Sequence, residues 1–274
     1  MKKTVFYAAG LLLVLALAAG GWRFWQPGHE KLPAEQAAKP AAQPAASAEA
    51  ERAAGIPVLM YHSVGTEPDN DAVISPELFT AHMEYLQQHG FTPLAAEELE
   101  AYLAGTLKLP PRPVVITFDD GYRDTYEVAL PVLKRLGLKS ILFIPAGEVG
   151  RRLSWQELRE MKAAGMQIAS HSFSHRELGA LSAGEQAEEI VRSKELLDGF
   201  LEQDTRFFCY PYGSYNQDTL RLLREHGFKL AVTLEPGWVK SGDNPLTLRR
   251  VWMGNSVTLQ HLHERLTRAD YPML

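Results

Sequence analysis

The sequence contains one cysteine, Cys209. An internal disulfide is therefore excluded, and with it any small disulfide-stapled architecture. Cys209 also stands far from the N-terminal apolar run, so it is no lipidation site beside a leader. Runs of Lys or Arg are missing and the net charge is −5. Binding to a phosphate backbone needs a clustered cationic surface, so nucleic acid is not an expected partner. Internal repeats are absent, which excludes solenoids and propellers. From Pro27 to Gly55 the chain is Ala, Pro, Glu and Gln with almost no large apolar residue. Such a stretch cannot bury enough surface to offset its ordering entropy and reads as a spacer.

The N-terminus has the parts of an export signal: Lys2 and Lys3, an apolar run from Val5 to Gly21, and the small-residue site Ala16-Leu17-Ala18. Trp22, Arg23, Phe24 and Trp25 follow at once, an interfacial cluster that favours a retained anchor over cleavage. The expected organisation is a signal peptide or signal anchor over 1–26, an Ala/Pro-rich linker over 27–55 and one catalytic domain over 56–274. The domain is expected outside the cytoplasm, periplasmic or at the cell surface, with the membrane as partner through the N-terminal segment.

Beyond Ile56, short runs rich in Val, Ile and Phe alternate with segments of helical period. That pattern predicts an α/β fold, a distorted (β/α)7-type barrel with parallel strands. The strands are expected at Pro57–Tyr61, Val114–Phe118, Ser140–Ile144, Gln167–Ser170, Arg206–Tyr210, Leu230–Thr233 and Leu248–Trp252. Ser75-Pro76, Ser154…Glu157 and Ser182…Glu185 have the spacing of helix starts. Gly90, Gly137, Gly165 and Gly227 stand where left-handed helix ends are expected.

Polar residues gather just after these strands, where a parallel barrel collects catalytic groups at one mouth. Asp119-Asp120-Gly121 puts two adjacent acids at a strand end, an arrangement that asks for a cation or a division of protonation roles. The alternative is a solvated turn. His171 and His175, four residues apart after another strand, suit a divalent ion such as zinc with a carboxylate as third ligand; the alternative is a pair of surface histidines. Trp155, Leu158 and Met161 share a helix face and are expected in the core. Trp238 and Trp252 read equally as packing or as sugar platforms. His82, His89 and His226 are expected to be exposed on helices.

Thr117-Phe118-Asp119-Asp120-Gly121, His171-Ser172-Phe173-Ser174-His175 and Phe208-Cys209-Tyr210-Pro211-Tyr212-Gly213 resemble three ordered motifs of the polysaccharide deacetylase family. This NodB-homology group of carbohydrate esterases, family 4, includes chitooligosaccharide, chitin and peptidoglycan deacetylases. The resemblance implies a metal-dependent hydrolase that removes N-acetyl groups from an amino-sugar polysaccharide. Asp120, His171 and His175 would hold one divalent metal, zinc or else cobalt, nickel or iron. Asp119 would be the general base, and the Tyr212 backbone N–H would meet the oxyanion. Two features depart from the chitin and peptidoglycan members: Cys209 stands where they carry arginine, and a C-terminal Leu-x-Leu-x-His strand is missing. His261 and His263 fall in an expected terminal helix and are not assigned the acid role. Pro57-Val58-Leu59-Met60-Tyr61-His62 instead resembles the branch that deacetylates poly-β-1,6-N-acetylglucosamine, in which an early histidine is the acid. His62 would take that role unless it is a buried strand-end histidine bonded to backbone. Arg250 would orient Asp119, with Arg249 as its surface neighbour or the two reversed. A glycan-binding barrel without catalysis and an O-acetyl esterase remain the alternative functions.

Overall fold

The computed structural model describes residues 55–67 and 69–272. The leader and most of the spacer therefore lie outside the described residues. Among the described residues no helix is long and apolar enough to cross a membrane.

The strands in chain order are β1 (Val58–Tyr61), β2 (Ser63–Val64), β3 (Val73–Ile74), β4 (Thr92–Pro93), β5 (Pro113–Phe118), β6 (Ser140–Ile144), β7 (Met166–Ser170), β8 (Phe207–Cys209), β9 (Leu230–Pro236) and β10 (Leu248–Trp252). The α-helices are α1 (Pro76–Gln88), α2 (Ala96–Leu103), α3 (Leu130–Leu136), α4 (Trp155–Ala163), α5 (Ala183–Leu201), α6 (Gln217–Glu225) and α7 (Leu259–Thr267). Strand β1 pairs in parallel with β5 on one side and β10 on the other. The remaining order, β10-β9-β8-β7-β6-β5, closes a seven-stranded parallel barrel. All seven expected strands are present, Ser140–Ile144 and Leu248–Trp252 with the expected bounds and the other five with shifted ends. The short β4 pairs with the start of β5, and β2 with β3 forms a separate parallel pair. Strands of two residues carry no periodic signal, so neither of these pairings was legible in the sequence.

Side-chain parity divides the core into two layers. In β5 every residue is buried, as a strand covered on both faces requires. Val114, Ile116 and Phe118 pack outward with Phe79, Leu133 and Leu158 of the helices. Val115 packs inward with Val58, Ile141, Ala169, Val232 and Leu248. Fully burying each such side chain stabilises the fold by about 1.5–3 kcal/mol before entropy is counted.

Helix ends follow the expected chemistry. Ser75 accepts from the Leu78 N–H at 3.2 Å, and Pro76 opens α1. Capping boxes at Ser154/Glu157 and Ser182/Glu185 open α4 and α5, and Gly137 closes α3 at φ 66°.

His82 overturns its expectation. It is fully buried on the α1 face that carries Phe79, Met83 and Leu86. Its Nε2–H donates to the Val257 carbonyl at 2.8 Å, and Nδ1 accepts from the Tyr61 hydroxyl at 3.2 Å. An imidazole with both nitrogens satisfied can sit among apolar residues, and burial pushes its pKa down to about 4. His89 is exposed and His226 half-buried. Leu158 and Met161 are buried, while half-buried Trp155 stacks on Phe200 at 4.4 Å. Trp238 is packing: it is buried, with its indole N–H donating to the Arg265 carbonyl at 2.9 Å.

Candidate active site

Strand register brings the motif residues to one mouth. The β1–β5 ladder sets Tyr61 opposite Phe118, so His62 and Asp119 leave the barrel as neighbours. On the other side, the His171 N–H donates to the Ile144 carbonyl at 3.0 Å, which seats the histidine turn against the end of β6. Parity then aims the side chains. Asp119 continues the inward row of Val115 and Thr117, His171 that of Ala169, Cys209 that of Phe207, and Arg250 that of Leu248. The apolar interior is thus capped by a polar layer.

Arg250 and Asp119 form the centre of that layer, respectively 0% and 1% exposed. Arg250 Nη1 and Nη2 donate to Asp119 Oδ1 and Oδ2 at 2.8 and 2.7 Å. Nε donates to the Thr233 carbonyl at 2.9 Å, Nη1 also to Thr117 Oγ1 at 3.2 Å, and Nη2 to Cys209 Sγ at 3.2 Å. All five guanidinium hydrogens therefore have acceptors, the condition under which a buried arginine is tolerated. Burial alone would raise the Asp119 carboxyl, but the Arg250 charge and hydrogen bonds outweigh it and hold the pKa below the ordinary value. Arg249, of opposite parity, is exposed, 3.9 Å from Glu235.

His62 Nε2 stands 3.9 Å from Asp119 Oδ2 with its side chain 17% exposed. Burial lowers its pKa, while Asp119 and then Asp120 work in the opposite direction. Its ring lies 5.1 Å from that of half-buried Trp252, whose indole N–H donates to Asp71 Oδ2 at 2.6 Å. His261 and His263 lie in α7, as expected.

Asp120 Oδ1 is 3.4 Å from His171 Nε2 and 3.0 Å from His175 Nε2, and the two Nε2 atoms are 3.2 Å apart. His171 Nδ1 donates to the Cys209 carbonyl at 2.8 Å, which in a neutral ring leaves the Nε2 lone pair facing the cluster. Burial would raise the Asp120 carboxyl, but hydrogen bonds from His171 and His175 drive its pKa far below the carboxylate range. Two imidazole nitrogens and a carboxylate oxygen this close need a proton or a cation among them. The donor set fits a divalent ion of zinc type.

Backbone conformation is unusual at the same place. Asp120, Ser172, His175 and Tyr212 have φ values of 69°, 65°, 61° and 56°. Non-glycine residues held in this left-handed region cost about 1–3 kcal/mol each and cluster at functional sites. The histidine motif has no helical residue and is a turn. Tyr212 is 61% exposed, with its ring 4.8 Å from that of His175.

A cleft of about 340 Å³ opens beside Asp120 and His175 between Tyr122, Glu148, Arg152 and Tyr212. Arg152 Nη1 donates to the Asp120 carbonyl at 3.1 Å, and its guanidinium lies 4.5 Å over the Tyr122 ring. Asp124 ties the loop after His62 to this region, accepting from Ser63 Oγ at 2.6 Å and the Val64 N–H at 2.9 Å. Tyr122, Arg152 and Asp124 were not among the expected site residues. Tyr122 had a signal in its adjacency to Asp119-Asp120-Gly121; Arg152 and Asp124 had none.

A parallel barrel whose mouth joins a buried acid to an Asp-His-His cluster has the make-up of a hydrolase. Comparison with known proteins gives the family. The model described as polysaccharide deacetylase matches residues 106–231. YxkH of Bacillus subtilis (strain 168), named only at the level of polysaccharide deacetylase, is 36% identical over 203 residues, covering 73% of this chain and 72% of that protein. The poly-β-1,6-N-acetyl-D-glucosamine N-deacetylase of Staphylococcus aureus (strain N315) is 26% identical over 223 residues, with 76% of each covered. Among solved structures, IcaB from Ammonifex degensii superposes with TM-score 0.71 at 31% identity over 78% of this chain and 97% of that one. Streptococcus pyogenes deacetylase PplD, in complex with acetate, gives 0.74 at 28% identity over 77% and 98%. The chain belongs to the polysaccharide deacetylase family.

Proposed function

We propose that this protein is a divalent-metal-dependent N-deacetylase of a polysaccharide containing N-acetylglucosamine. The observation that carries the reading is the convergence of Asp120, His171 and His175 beside an ionised carboxylate, Asp119, that is not one of the three. Asp120, His171 and His175 would hold the ion, probed first as zinc. When bound, such an ion supplies Lewis acidity to the amide carbonyl and to water.

The chain's own groups divide the proton work. Arg250 keeps Asp119 ionised and fixed in plane, so that an Asp119 carboxylate oxygen is ready to take the proton from attacking water. His62 Nε2, across from Asp119, gives a proton to the departing amine nitrogen, which is a very poor leaving group without one. The Tyr212 backbone N–H donates to the developing oxyanion. Because the main chain supplies that donor, the Tyr212 hydroxyl is dispensable to the task.

The amide rather than ester substrate is supported by the named activity of the Staphylococcus aureus relative and by a histidine poised for leaving-group protonation. Export and tethering follow from the Lys2-Lys3 leader and the Trp22–Trp25 cluster, with 56–274 as the catalytic domain. Incubating the full chain with N-acetylglucosamine oligomers, β-1,6-linked and β-1,4-linked, and measuring acetate release with and without chelator tests the function. Release that chelator abolishes and added zinc or cobalt restores is expected. Chelator-resistant release, or none on any oligomer, refutes it.

A further inference from the structure

The turn Ser172–Ser174 joins the two histidines of the cluster through residues that would not hold this shape unaided. Ser172 and His175 are both left-handed, at φ 65° and 61°. Two of its three carbonyls are taken by the segment after β6: the Ala146 N–H donates to Ser172 O at 3.1 Å and the Gly147 N–H to Phe173 O at 2.8 Å. A side chain at Gly147 would bring its Cβ within 2.8 Å of that same Phe173 oxygen, so only glycine lets the two segments meet. The opposite side of the turn presents backbone N–H groups. There Glu189 of α5, 6% exposed, accepts from the Phe173 N–H at 3.0 Å and the Ser174 N–H at 2.7 Å through Oε2. Its Oε1 accepts from the Ser174 hydroxyl. The ion pairs found among the described residues do not include Glu189, although its neighbour Glu188 pairs with Arg192.

A carboxylate removed from water with no cationic partner is costly, and here it is compensated by donors from one short turn. We propose that Glu189 is a positioning residue: it holds the turn so that His171 and His175 present their Nε2 atoms to one point, and thereby sets the affinity of the metal site. The inference rests on the metal reading above. Groups that orient metal ligands from behind typically contribute 10–100-fold in affinity.

The test is made on the full chain stripped with chelator. Cobalt(II) is titrated and followed by its visible absorption, and zinc affinity is measured by chelator competition. Glu189→Gln keeps the volume but removes the charge, leaving one neutral oxygen for the two backbone N–H groups and an NH2 against the Ser174 hydroxyl, and is expected to weaken both ions by about 10–100-fold and to alter the cobalt spectrum. Ser174→Ala removes one of the three donors and keeps both backbone bonds; a smaller loss in the same direction is expected. Glu188→Gln, one residue away and exposed, should bind as the parent does. Should Glu189→Gln not fold by circular dichroism, Ser174→Ala decides alone. Parent-like affinity and spectrum in the folded variants overturn the role of Glu189 while leaving the metal reading standing. A parent that takes up neither ion overturns both.

Discussion

Replacing Arg250 with methionine should expose how the buried pair divides stability from chemistry. The substitution keeps the volume of the stem but leaves Asp119 as an unpaired carboxylate, 1% exposed, and deprives the Thr233 carbonyl and Thr117 Oγ1 of a donor. Removing one partner of a buried ion pair costs about 3–5 kcal/mol. For a domain of this size that is a fall in melting temperature of roughly 10 °C. The pH dependence gives an independent sign. In the parent the folded pKa of Asp119 is depressed, so its contribution is present above the unfolded value of about 4 and is lost as pH falls through the folded value. Without Arg250 burial is opposed only by the smaller effects of His62 and His171, and the folded pKa is expected to rise above the unfolded one. The variant's deficit relative to the parent should then shrink as pH falls from about 7 to 5, as Asp119 takes up a proton. Adding Asp119→Asn should recover at least half of the loss, because no buried charge remains. Urea unfolding followed by circular dichroism, on chelated protein at several pH values, provides these numbers. A loss under about 1 kcal/mol in Arg250→Met, or no recovery in the double variant, refutes the argument that an unpaired buried charge is what matters. Arg250→Lys should rescue poorly, since three donors on a point charge cannot replace five in a planar fork.

Asp119→Asn alone should reduce turnover by about 10²–10⁴ with metal content unchanged; activity within a few-fold of the parent would remove it as the base. For His62→Ala, amide substrates should lose far more rate than an activated aryl acetate, whose leaving group needs little protonation. Equal effects on the two substrates would return His62 to a structural role. His82 contributes a stability term of opposite origin from an ion pair: its pKa falls from 6.5 unfolded to about 4 folded, so the term is complete above about 6.5 and is lost as pH falls toward 4, by roughly 3 kcal/mol. In His82→Gln the slope of unfolding free energy against pH over that window should drop by about one proton, measured by urea unfolding; an unchanged slope would show that His82 is not the group protonated.

Local chemistry made part of this protein readable in one dimension. Seven apolar runs, helix-start spacings and glycines after helical segments reflect backbone and burial rules that act over a few residues, and they sufficed for the parallel barrel. The motifs around Asp119-Asp120, His171 with His175, and Tyr212 were legible for the same reason: each lies at a strand end, where a parallel barrel opens. Closure was decided in three dimensions, when β1 found partners on both edges. Tertiary parity also chose Arg250 over Arg249, because alternation along β10 turns one inward to Asp119 and the other to solvent. His82 shows the limit of reading a helix by residue type, since whether an imidazole is exposed depends on acceptors as remote as Val257. Nothing in the sequence sets Glu189 apart from the neighbouring acids of its helix. Its burial and its hold on Phe173 and Ser174 exist only because α5 packs behind that turn, fifteen and sixteen residues away along the chain. Sequence by itself determined which residues could do the chemistry, because residue type and strand-end position are local properties. Packing alone decided which of them meet, and which buried groups hold them there.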